Sequence, residues 1–295
     1  MPEDHAYHYA EHSRWSEPGR FGPRLDALPS EPARLPGVVG GLVLHPLFAR
    51  AVGNGPASDA AIRKIPGIIG TILARDGRPL SEARPPARRV LGTCRTHALL
   101  ACAILRQHHV PARLRVGFAD YFTPGFHEDH WVCEYDDGVQ YRLLDAELTP
   151  DACRRFAIDF DPADVPRGRF VAAAHAWRMI RCGDRVADRF GVSALGLTGA
   201  WFVAASLLRD LAAVTAEEMM PWDYWGPARS FNPQTGVAYD WLERLDHLGG
   251  AMAHEPASYQ AAEAILAEHP WAALTPAILS FPTGEPVEIR LEDAC

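Results

Sequence analysis

"GTCRTHALLACAILRQHHVPARLRVGFADYF", residues 92–122, joins a helical pattern to a strand pattern. Thr93 is a candidate N-cap and Pro111 stops helical continuation, so we predict a helix over residues 93–109. This segment is apolar on nearly every face, which is typical of a buried helix. The residues that follow, 112–122, predict a β-strand. A buried helix followed by a strand is therefore the expected centre of the fold.

The next pattern, "HEDHWVCEYDDGVQYRLLDAEL" (residues 127–148), predicts an antiparallel hairpin. Two alternating runs flank Asp137 and Gly138, and an Asp-Gly pair between such runs is the usual sign of a two-residue loop. With that loop, His130 lies directly opposite Asp145 on the same face of the sheet. Helix and hairpin together predict an α+β core, a buried helix on an antiparallel sheet, over residues 90–150.

The segments on either side of this core are predicted to be mostly helical. Residues 1–89 form an N-terminal layer with helices expected at 37–53 and 57–75. Residues 151–295 are expected to pack with the core as one unit, and only "VEIRL" near the end has a strand pattern. The helical patterns of this C-terminal segment lie at 167–182, 194–213, 236–252 and 257–268.

Composition limits the classes of function. The 295 residues are 48% hydrophobic and 22% charged, which is typical of a globular protein with a sizeable core. A formal net charge of −8 argues against general binding to nucleic acid or to an anionic membrane. The most apolar run, residues 194–208, is shorter than the ~20 residues that cross a bilayer, so we expect a buried helix. No secretory signal pattern is visible, so a cytoplasmic location with reduced cysteines is expected.

Cys94 is the candidate nucleophile. It follows Gly92 and Thr93, so it would lie in the first turn of the buried helix, where unpaired N–H groups and the positive end of the helix dipole gather. That position is expected to lower the pKa of the thiol, and the same N–H groups could bind the oxyanion of a tetrahedral intermediate. Cys102 and Cys133 are instead interpreted as small buried hydrophobic residues.

His130 and Asp145 complete the candidate catalytic triad. An imidazole beside the thiol would act as the base, and the facing carboxylate would fix its tautomer and stabilise the imidazolium. A lone cysteine or a lone histidine is more often structural. The combination favours catalysis, provided that the fold brings Cys94 close to His130.

The same residues carry a family resemblance. The segments "GTCRTHALLACAILRQHHVPARLRVGF", "HEDHWVCEY" and "YRLLDAEL" closely resemble the core of the transglutaminase-like superfamily, in which a Gly-x-Cys opens a helix and two strands carry His and Asp. Cys94, His130 and Asp145 match these three positions one by one, within a block of about a fifth of the chain. More loosely, the whole sequence is similar to bacterial transglutaminase-like proteins with segments comparable to 129–135 and 221–226.

The resemblance implies a papain-like fold and thioester chemistry. Cys94 would attack an amide or other acyl carbon of a peptide or small molecule, release the amine, and pass the acyl group to water or to a second amine. The expected activity is therefore that of a cysteine acyltransferase or an amide hydrolase. No cofactor is expected, because calcium, used by animal cross-linking members, needs a dense Asp/Glu loop that the sequence lacks. A second candidate function is a non-catalytic binding or scaffold protein on the same fold.

Four tryptophans are candidate substrate contacts: Trp15, Trp131, Trp222 and Trp225. Trp15 lies in an aromatic loop at 12–20, and Trp222 and Trp225 lie in another at 221–226; exposed aromatic loops often line pockets. Trp15 and Trp131 are also candidate oxyanion donors. It is equally consistent with the pattern that the tryptophans of the two loops cover the core of the helical half.

A metal site is a third candidate function. His127, Asp129 and His130 lie close in sequence, and Cys94 or Cys133 could add a ligand. On a strand, however, residues 127 and 129 point to one side and residue 130 to the other, so the three side chains do not converge.

Overall fold

The computed structural model describes residues 7–49, 57–255 and 258–292, which form a mixed α+β structure. The α-helices are α1 (Tyr7–Ala10), α2 (Gly22–Asp26), α3 (Leu35–Gly40), α4 (Pro46–Ala49), α5 (Ile65–Arg75), α6 (Cys94–Gln107), α7 (Pro150–Phe156), α8 (Ala173–Arg181), α9 (Ala200–Val214), α10 (Tyr239–Met252) and α11 (Tyr259–Glu268). The strands are β1 (Val43–Leu44), β2 (Val90–Leu91), β3 (Ala112–Ala119), β4 (His127–Asp136), β5 (Tyr141–Leu144), β6 (Phe170–Ala172), β7 (Phe190–Val192), β8 (Leu197–Thr198), β9 (Asp223–Tyr224), β10 (Ala277–Ser280) and β11 (Val287–Arg290).

The main sheet has six strands in the order β6-β3-β4-β7-β8, with β5 also paired to β4. Along one edge of β4, β7 pairs with the start of the strand and β5 with its end. The pairing of β4 with β7 is parallel, so the sheet is mixed rather than antiparallel as predicted. Helix α6 packs against β3 and β4, and α9 packs against β3.

The predicted buried helix is confirmed. Helix α6 begins at Cys94, and all of its residues up to Arg106 are buried. Thr93 is the N-cap residue, as predicted, with extended backbone, and its side chain makes no capping hydrogen bond within the described chain. The strand predicted after the helix is also present, as β3.

The predicted hairpin exists, but its register is wrong by two residues. The last pair is Asp136 with Tyr141, so residues 137–140 form the loop instead of Asp137 and Gly138 alone. The Asp137 side chain accepts hydrogen bonds from the N–H groups of Val139 and Gln140, both at 2.8 Å, which stabilises the longer turn. Because side chains alternate with a period of two, a two-residue shift leaves His130 and Asp145 on the same face.

The N-terminal layer is less helical than predicted. Among its described residues, the pattern at 37–53 contains the end of α3, which stops at Gly40, and α4. Strand β1 lies between them and pairs in parallel with β2. Residues 50–56 lie outside the described residues. In the pattern at 57–75, the α-helix begins at Ile65, with Pro66 in its first turn, where the missing N–H of proline does no harm.

The C-terminal region contains the four predicted helices, as α8 to α11, but it also contributes several strands. It supplies β6, β7 and β8 to the main sheet and pairs β9 and β10 in a second sheet with β11. These added strands have two to four residues each, too short for an alternating pattern to show in the sequence. The core and its flanking region thus share one sheet.

A single cluster of buried apolar side chains connects the three predicted segments, through residues such as Trp15, Leu99 and Trp177. The apolar run at 194–208 falls mostly in α9, whose residues from Trp201 to Val214 are buried. Among the described residues, no helix combines the length and apolar character needed to cross a membrane.

Candidate active site

Cys94 is held at the start of α6 by the short parallel pair of β1 and β2. Leu91, the last residue of β2, donates its N–H to Asp59 Oδ2 at 3.1 Å, which fixes the chain just before the helix. Gly92 then passes so close to Val43 and Thr96 that an added Cβ would lie 2.6–2.7 Å from their side chains. Only glycine fits here, so the Gly-x-Cys pattern has a steric reason.

His130 and Asp145 are hydrogen-bonded, although they do not face each other across the strands. His130 Nε2 and Asp145 Oδ2 are 2.8 Å apart, and the two residues are 2% and 1% exposed. Asp145 lies just beyond the end of β5, where its N–H donates to Pro162 O at 2.8 Å. The predicted directly opposed pair is therefore wrong in register, while the contact between the two side chains is present.

The Asp145 carboxylate accepts three hydrogen bonds. Oδ2 accepts from His130 Nε2 and from the Tyr121 hydroxyl at 2.7 Å, and Oδ1 accepts from the Glu147 N–H at 2.9 Å. Each donor stabilises the ionised form of the acid. Sequence reasoning missed Tyr121, since it lies on the loop after β3 and no local pattern links it to Asp145.

The Cys94 thiol lies near the imidazole. Cys94 is 7% exposed, and its side chain and that of His130 each shift the pKa of the other, which requires the two groups to be close together. Because Nε2 is bound to Asp145, Nδ1 is the ring nitrogen left for the sulfur. The rings of Phe122 and Tyr121 pack edge-on to the imidazole, with centroids 4.9 and 6.1 Å away, and limit its rotation. Thiol, imidazole and carboxylate thus form a connected chain.

The electrostatics of the imidazole and the acid support a charged pair. Burial alone would lower the pKa of His130, but the Asp145 charge and the hydrogen bonds with Asp145 and Cys94 raise that pKa well above its ordinary value. Burial would raise the pKa of Asp145, yet the charge and hydrogen bond of His130, together with the Tyr121 hydroxyl, lower it. The ionised carboxylate of Asp145 thus stabilises the protonated form of the imidazole, and the imidazole stabilises the ionised form of the acid.

The expectation of a lowered thiol pKa is not met. Burial raises the pKa of Cys94 above its ordinary value, and the negative charges of Asp129 and Glu147 raise it further. The hydrogen bond and charge of His130 act in the opposite direction and lower it. The surroundings of Cys94 therefore favour the neutral thiol over the thiolate.

Cys94 and His130 line a cleft of about 520 Å³. Its walls are largely apolar, and three carboxylates, Glu128, Asp129 and Glu147, line it. The other lining residues are His45, Pro46, Leu47, Thr93, Cys94, Phe122, Thr123, His130, Arg155, Phe156, Val192, Ser193, Ala194, Leu195, Pro221 and Trp222. A concave, mostly apolar site with a few polar groups is typical of small-molecule and peptide-segment binding.

Of the four candidate tryptophans, only Trp222 lines the cleft. Trp15 is fully buried and donates its ring N–H to Glu217 at 3.0 Å, and Trp225 is buried with its ring N–H on Ala272 O. Trp131 is buried in the core, and its Nε1 has no partner among the described residues. These three side chains lie outside the cleft, so the predicted substrate contacts of Trp15, Trp131 and Trp225 are wrong. The predicted oxyanion role of Trp15 is wrong for the same reason.

Hydrogen-bond donors for an oxyanion lie at the start of α6. The first N–H groups of a helix have no intrahelical acceptor, and Cys94 supplies the first of them. Beside it, the Thr93 hydroxyl lines the cleft and is buried without a hydrogen-bond partner in the described part of the chain. An unpaired hydroxyl next to Cys94 can donate a hydrogen bond to an oxygen atom in the cleft.

His45 is another residue of the site that sequence reasoning missed. It follows β1 and lines the cleft, because the parallel pairing of β1 with β2 brings it next to Thr93 and Cys94. Burial and the charge of His130 lower the pKa of His45 to about 4, so this imidazole is neutral at neutral pH. Its signal was the His-Pro after an apolar run, which is too common a pattern to indicate a site.

Two other cysteines lie in the core. Cys102 and Cys133 are fully buried, as predicted, and their sulfurs are 2.8 Å apart between α6 and β4.

The candidate metal ligands at the start of β4 do not converge. Across the described ranges, no group of three or more His, Cys, Asp and Glu side chains is arranged to hold a metal ion. His127 stacks on Phe190, with ring centroids 4.5 Å apart, instead of turning toward His130.

Comparison of the chain with protein-family models, with curated proteins and with solved structures finds no match.

Proposed function

We propose that this protein is a cysteine-dependent acyl-transfer enzyme in which Cys94 forms a thioester with its substrate. The observation that supports this most is the connected chain of thiol, imidazole and buried carboxylate, with His130 Nε2 at 2.8 Å from Asp145, on the wall of an apolar cleft. For stability alone, packed apolar side chains would serve a scaffold protein as well at this cavity wall, since replacing a buried ion pair with apolar groups is often neutral or stabilising.

The fold is part of the proposal. Helix α6, with the thiol at its start, packs on β3 and β4, and β4 and the end of β5 provide the imidazole and the acid. This arrangement is the one expected of a papain-like, transglutaminase-like core. The parallel strand β7 and the helices around it would then be additions to that core.

The proposed reaction has two halves that share one proton carrier. Cys94 passes its proton to His130, and the sulfur attacks the acyl carbon of an amide to give a tetrahedral oxyanion, which the Cys94 N–H and the Thr93 hydroxyl can hold. The intermediate then expels the amine, which takes the proton from His130, and a thioester remains. Water or a second amine attacks the thioester, His130 takes up its proton, and the returning proton regenerates the thiol.

A covalent adduct tests the proposal. The wild-type protein is incubated with cell extract and, separately, with p-nitrophenyl acetate, quenched in acid and digested for mass spectrometry. We expect acylation of Cys94 in the wild type and in the matched control Cys182→Ser, which removes an exposed thiol far along the chain. We expect none in Cys94→Ala and strongly reduced acylation in His130→Ala.

Two results would contradict the proposal that the protein is an enzyme. One is a wild-type protein that remains unmodified at Cys94 with both acyl sources. The other is equal acylation of Cys94 in the wild type and in His130→Ala, which would mean that the imidazole does not activate the sulfur. Either result would favour the binding or scaffold protein.

A further inference from the structure

Two of the three carboxylates in the cleft have no partner in the described chain. Glu128 is satisfied, because Oε1 accepts from the Thr123 hydroxyl at 2.7 Å and Oε2 from the Ser193 N–H at 3.0 Å. In contrast, the Glu147 side chain is only 8% exposed and has neither a hydrogen bond nor an ion pair in the described parts of the chain. Asp129 Oδ1 is likewise shielded from solvent and unpaired among those residues.

Both unpaired acids lie near the sulfur. Their charges act on Cys94, and both line the same cleft as the thiol. Burial raises the pKa of Glu147, and it raises the pKa of Asp129 to about 6. A buried carboxylate without a counter-charge costs free energy, so these two positions are electrostatically incomplete in the free protein.

The positive charges nearby do not complete them. The Arg155 side chain is exposed, and His45 is neutral at neutral pH. The charge of Arg209 lowers the pKa of Asp129, but its Nε donates to a main-chain oxygen at 3.2 Å rather than to either acid. His130, when protonated, is already paired with Asp145, whose Oδ2 lies 2.8 Å from Nε2. His97 is the histidine whose charge acts most on Glu147, and burial lowers the pKa of His97. Within the described residues, neither Glu147 nor Asp129 therefore has an ion-pair partner in the otherwise apolar cleft.

We propose that Glu147 and Asp129 form a cation subsite that holds a positively charged nitrogen group, such as an alkylammonium, of the substrate. The group is bound rather than reacting, and it lies beside the acyl carbon that Cys94 attacks. This inference rests on the proposed function for the reaction that follows, but binding of the cation can be measured without turnover.

Occupation of this subsite would also activate the thiol. The charges of Asp129 and Glu147 raise the pKa of Cys94, and a bound cation cancels them. The substrate would then shift Cys94 toward its thiolate on arrival. A site that is inactive when empty and reactive when filled would protect the thiol from unselective modification.

Small methanethiosulfonates of different charge provide the test. The thiolate attacks the sulfenyl sulfur, methanesulfinate leaves, and a mixed disulfide remains on Cys94. Rates at Cys94 are measured by peptide mass spectrometry with the 2-aminoethyl reagent (cationic), the 2-sulfonatoethyl reagent (anionic) and the methyl reagent (neutral). We expect the cationic-to-anionic rate ratio at Cys94 to exceed the ratio for free N-acetylcysteine amide by about tenfold or more, as expected for a charge contact that is only partly solvated.

Substitutions assign the preference to its residues. Glu147→Gln and Asp129→Asn should each reduce the ratio, and Glu147→Asp, which keeps the charge, should retain most of it. Glu82→Gln is the matched control, since it removes one negative charge from an exposed position outside the cleft.

The proposal is overturned if the wild-type ratio equals that of the free thiol, or if Glu147→Gln and Glu82→Gln give the same ratio. Neither result depends on acyl transfer. An inactive protein that keeps its cationic preference would refute the proposed function alone, and an active enzyme without that preference would refute the subsite alone. Circular dichroism of each variant excludes loss of fold as the cause.

Discussion

Strand β4 carries two buried ionic sites four residues apart, one around Glu134 and the other around His130. Glu134 accepts from Arg113 and Arg167 at 2.7 Å each and lies 3.3 Å from Arg115, so its charge is fully compensated. Around His130, in contrast, two acids and one hydroxyl of the cleft have no partner in the described chain. A complete buried charge network is costly to break by removing one partner, whereas an incomplete one indicates a place for a ligand.

The largest effect should follow from Asp145→Asn. The Glu147 N–H points at Oδ1, so the amide oxygen must occupy that position and the NH₂ group must face His130. The imidazole would then accept at Nε2 and carry its proton on Nδ1, toward the sulfur, and it could no longer take the thiol proton. We expect acylation of Cys94 by p-nitrophenyl acetate to slow by roughly 10³–10⁴-fold, as for the loss of a triad carboxylate.

Asp159→Asn is the control for that experiment, because this acid is exposed and its ion pair with Arg169 lies on the surface. It should leave the acylation rate unchanged. Equal rates in wild type and Asp145→Asn would show that the acid does not set the tautomer of His130.

Glu134→Gln should have the largest effect on stability. Burial opposes ionisation of Glu134, but the charges of Arg113, Arg115 and Arg167 keep its pKa far below the ordinary value. Removing the negative charge takes away the acid that lies 2.7 Å from the buried Arg113 and one of the acids of Arg115, so we expect the free energy of unfolding to fall by about 3–5 kcal/mol. Urea unfolding measures it, with Glu288→Gln as control, since that exposed pair with Arg229 should be worth less than about 1 kcal/mol.

A cost for Glu134→Gln no larger than that of its surface control would mean that the arginines find other partners. The contrast between the two ends of β4 would then lose its physical basis.

Tyr121→Phe should lower the free energy of unfolding by less than Glu134→Gln does, and mainly at acidic pH. The hydroxyl lowers the pKa of Asp145, so its removal raises that pKa. An acid whose pKa is lower in the folded state than in the unfolded state stabilises the protein at any pH above its unfolded-state pKa. This contribution is lost as the pH falls through the pKa of the folded state. We therefore expect acid unfolding to begin at a higher pH, with a loss of about 1 kcal/mol at neutral pH.

Tyr135→Phe separates the two effects, because its hydroxyl donates to Ala163 O at 3.0 Å instead of to a carboxylate. For Tyr135→Phe we expect a similar loss in the free energy of unfolding at neutral pH, but no change in the pH at which acid unfolding begins. A shift in both variants would rule out a specific role for Tyr121.

Local patterns in the sequence were sufficient for the central elements. Apolar residues on every face predicted α6, and alternation around Asp137 and Gly138 predicted β4 and β5. The longer turn, held by the Asp137 side chain, shifted the register by two residues, a change that conserves the face of every side chain. His130 and Asp145 could therefore be paired correctly from a wrong register.

Features that depend on distant contacts could not be predicted. Strands β6 to β8 are too short to carry a pattern and are fixed by their neighbours in the sheet. Tyr121 and His45 reach the site through packing of segments far apart in the chain. The raised pKa of Cys94 follows from burial and from nearby acids, and the sequence pattern of a helix start indicates neither.

The smallest expected effect, and the one of opposite sign, belongs to Glu147→Gln. Burial raises the pKa of Glu147, so above its unfolded pKa the folded protein holds a carboxylate that water would solvate better. The amide removes that charge, and we expect the free energy of unfolding at neutral pH to stay the same or to rise by up to about 1 kcal/mol. The gain should disappear as pH falls, because the wild-type acid is then protonated in both states. Thermal unfolding of both proteins between acidic and neutral pH measures this. A loss of several kcal/mol, like that of Glu134→Gln, would show that Glu147 already has a partner and that the site around His130 is complete without a ligand.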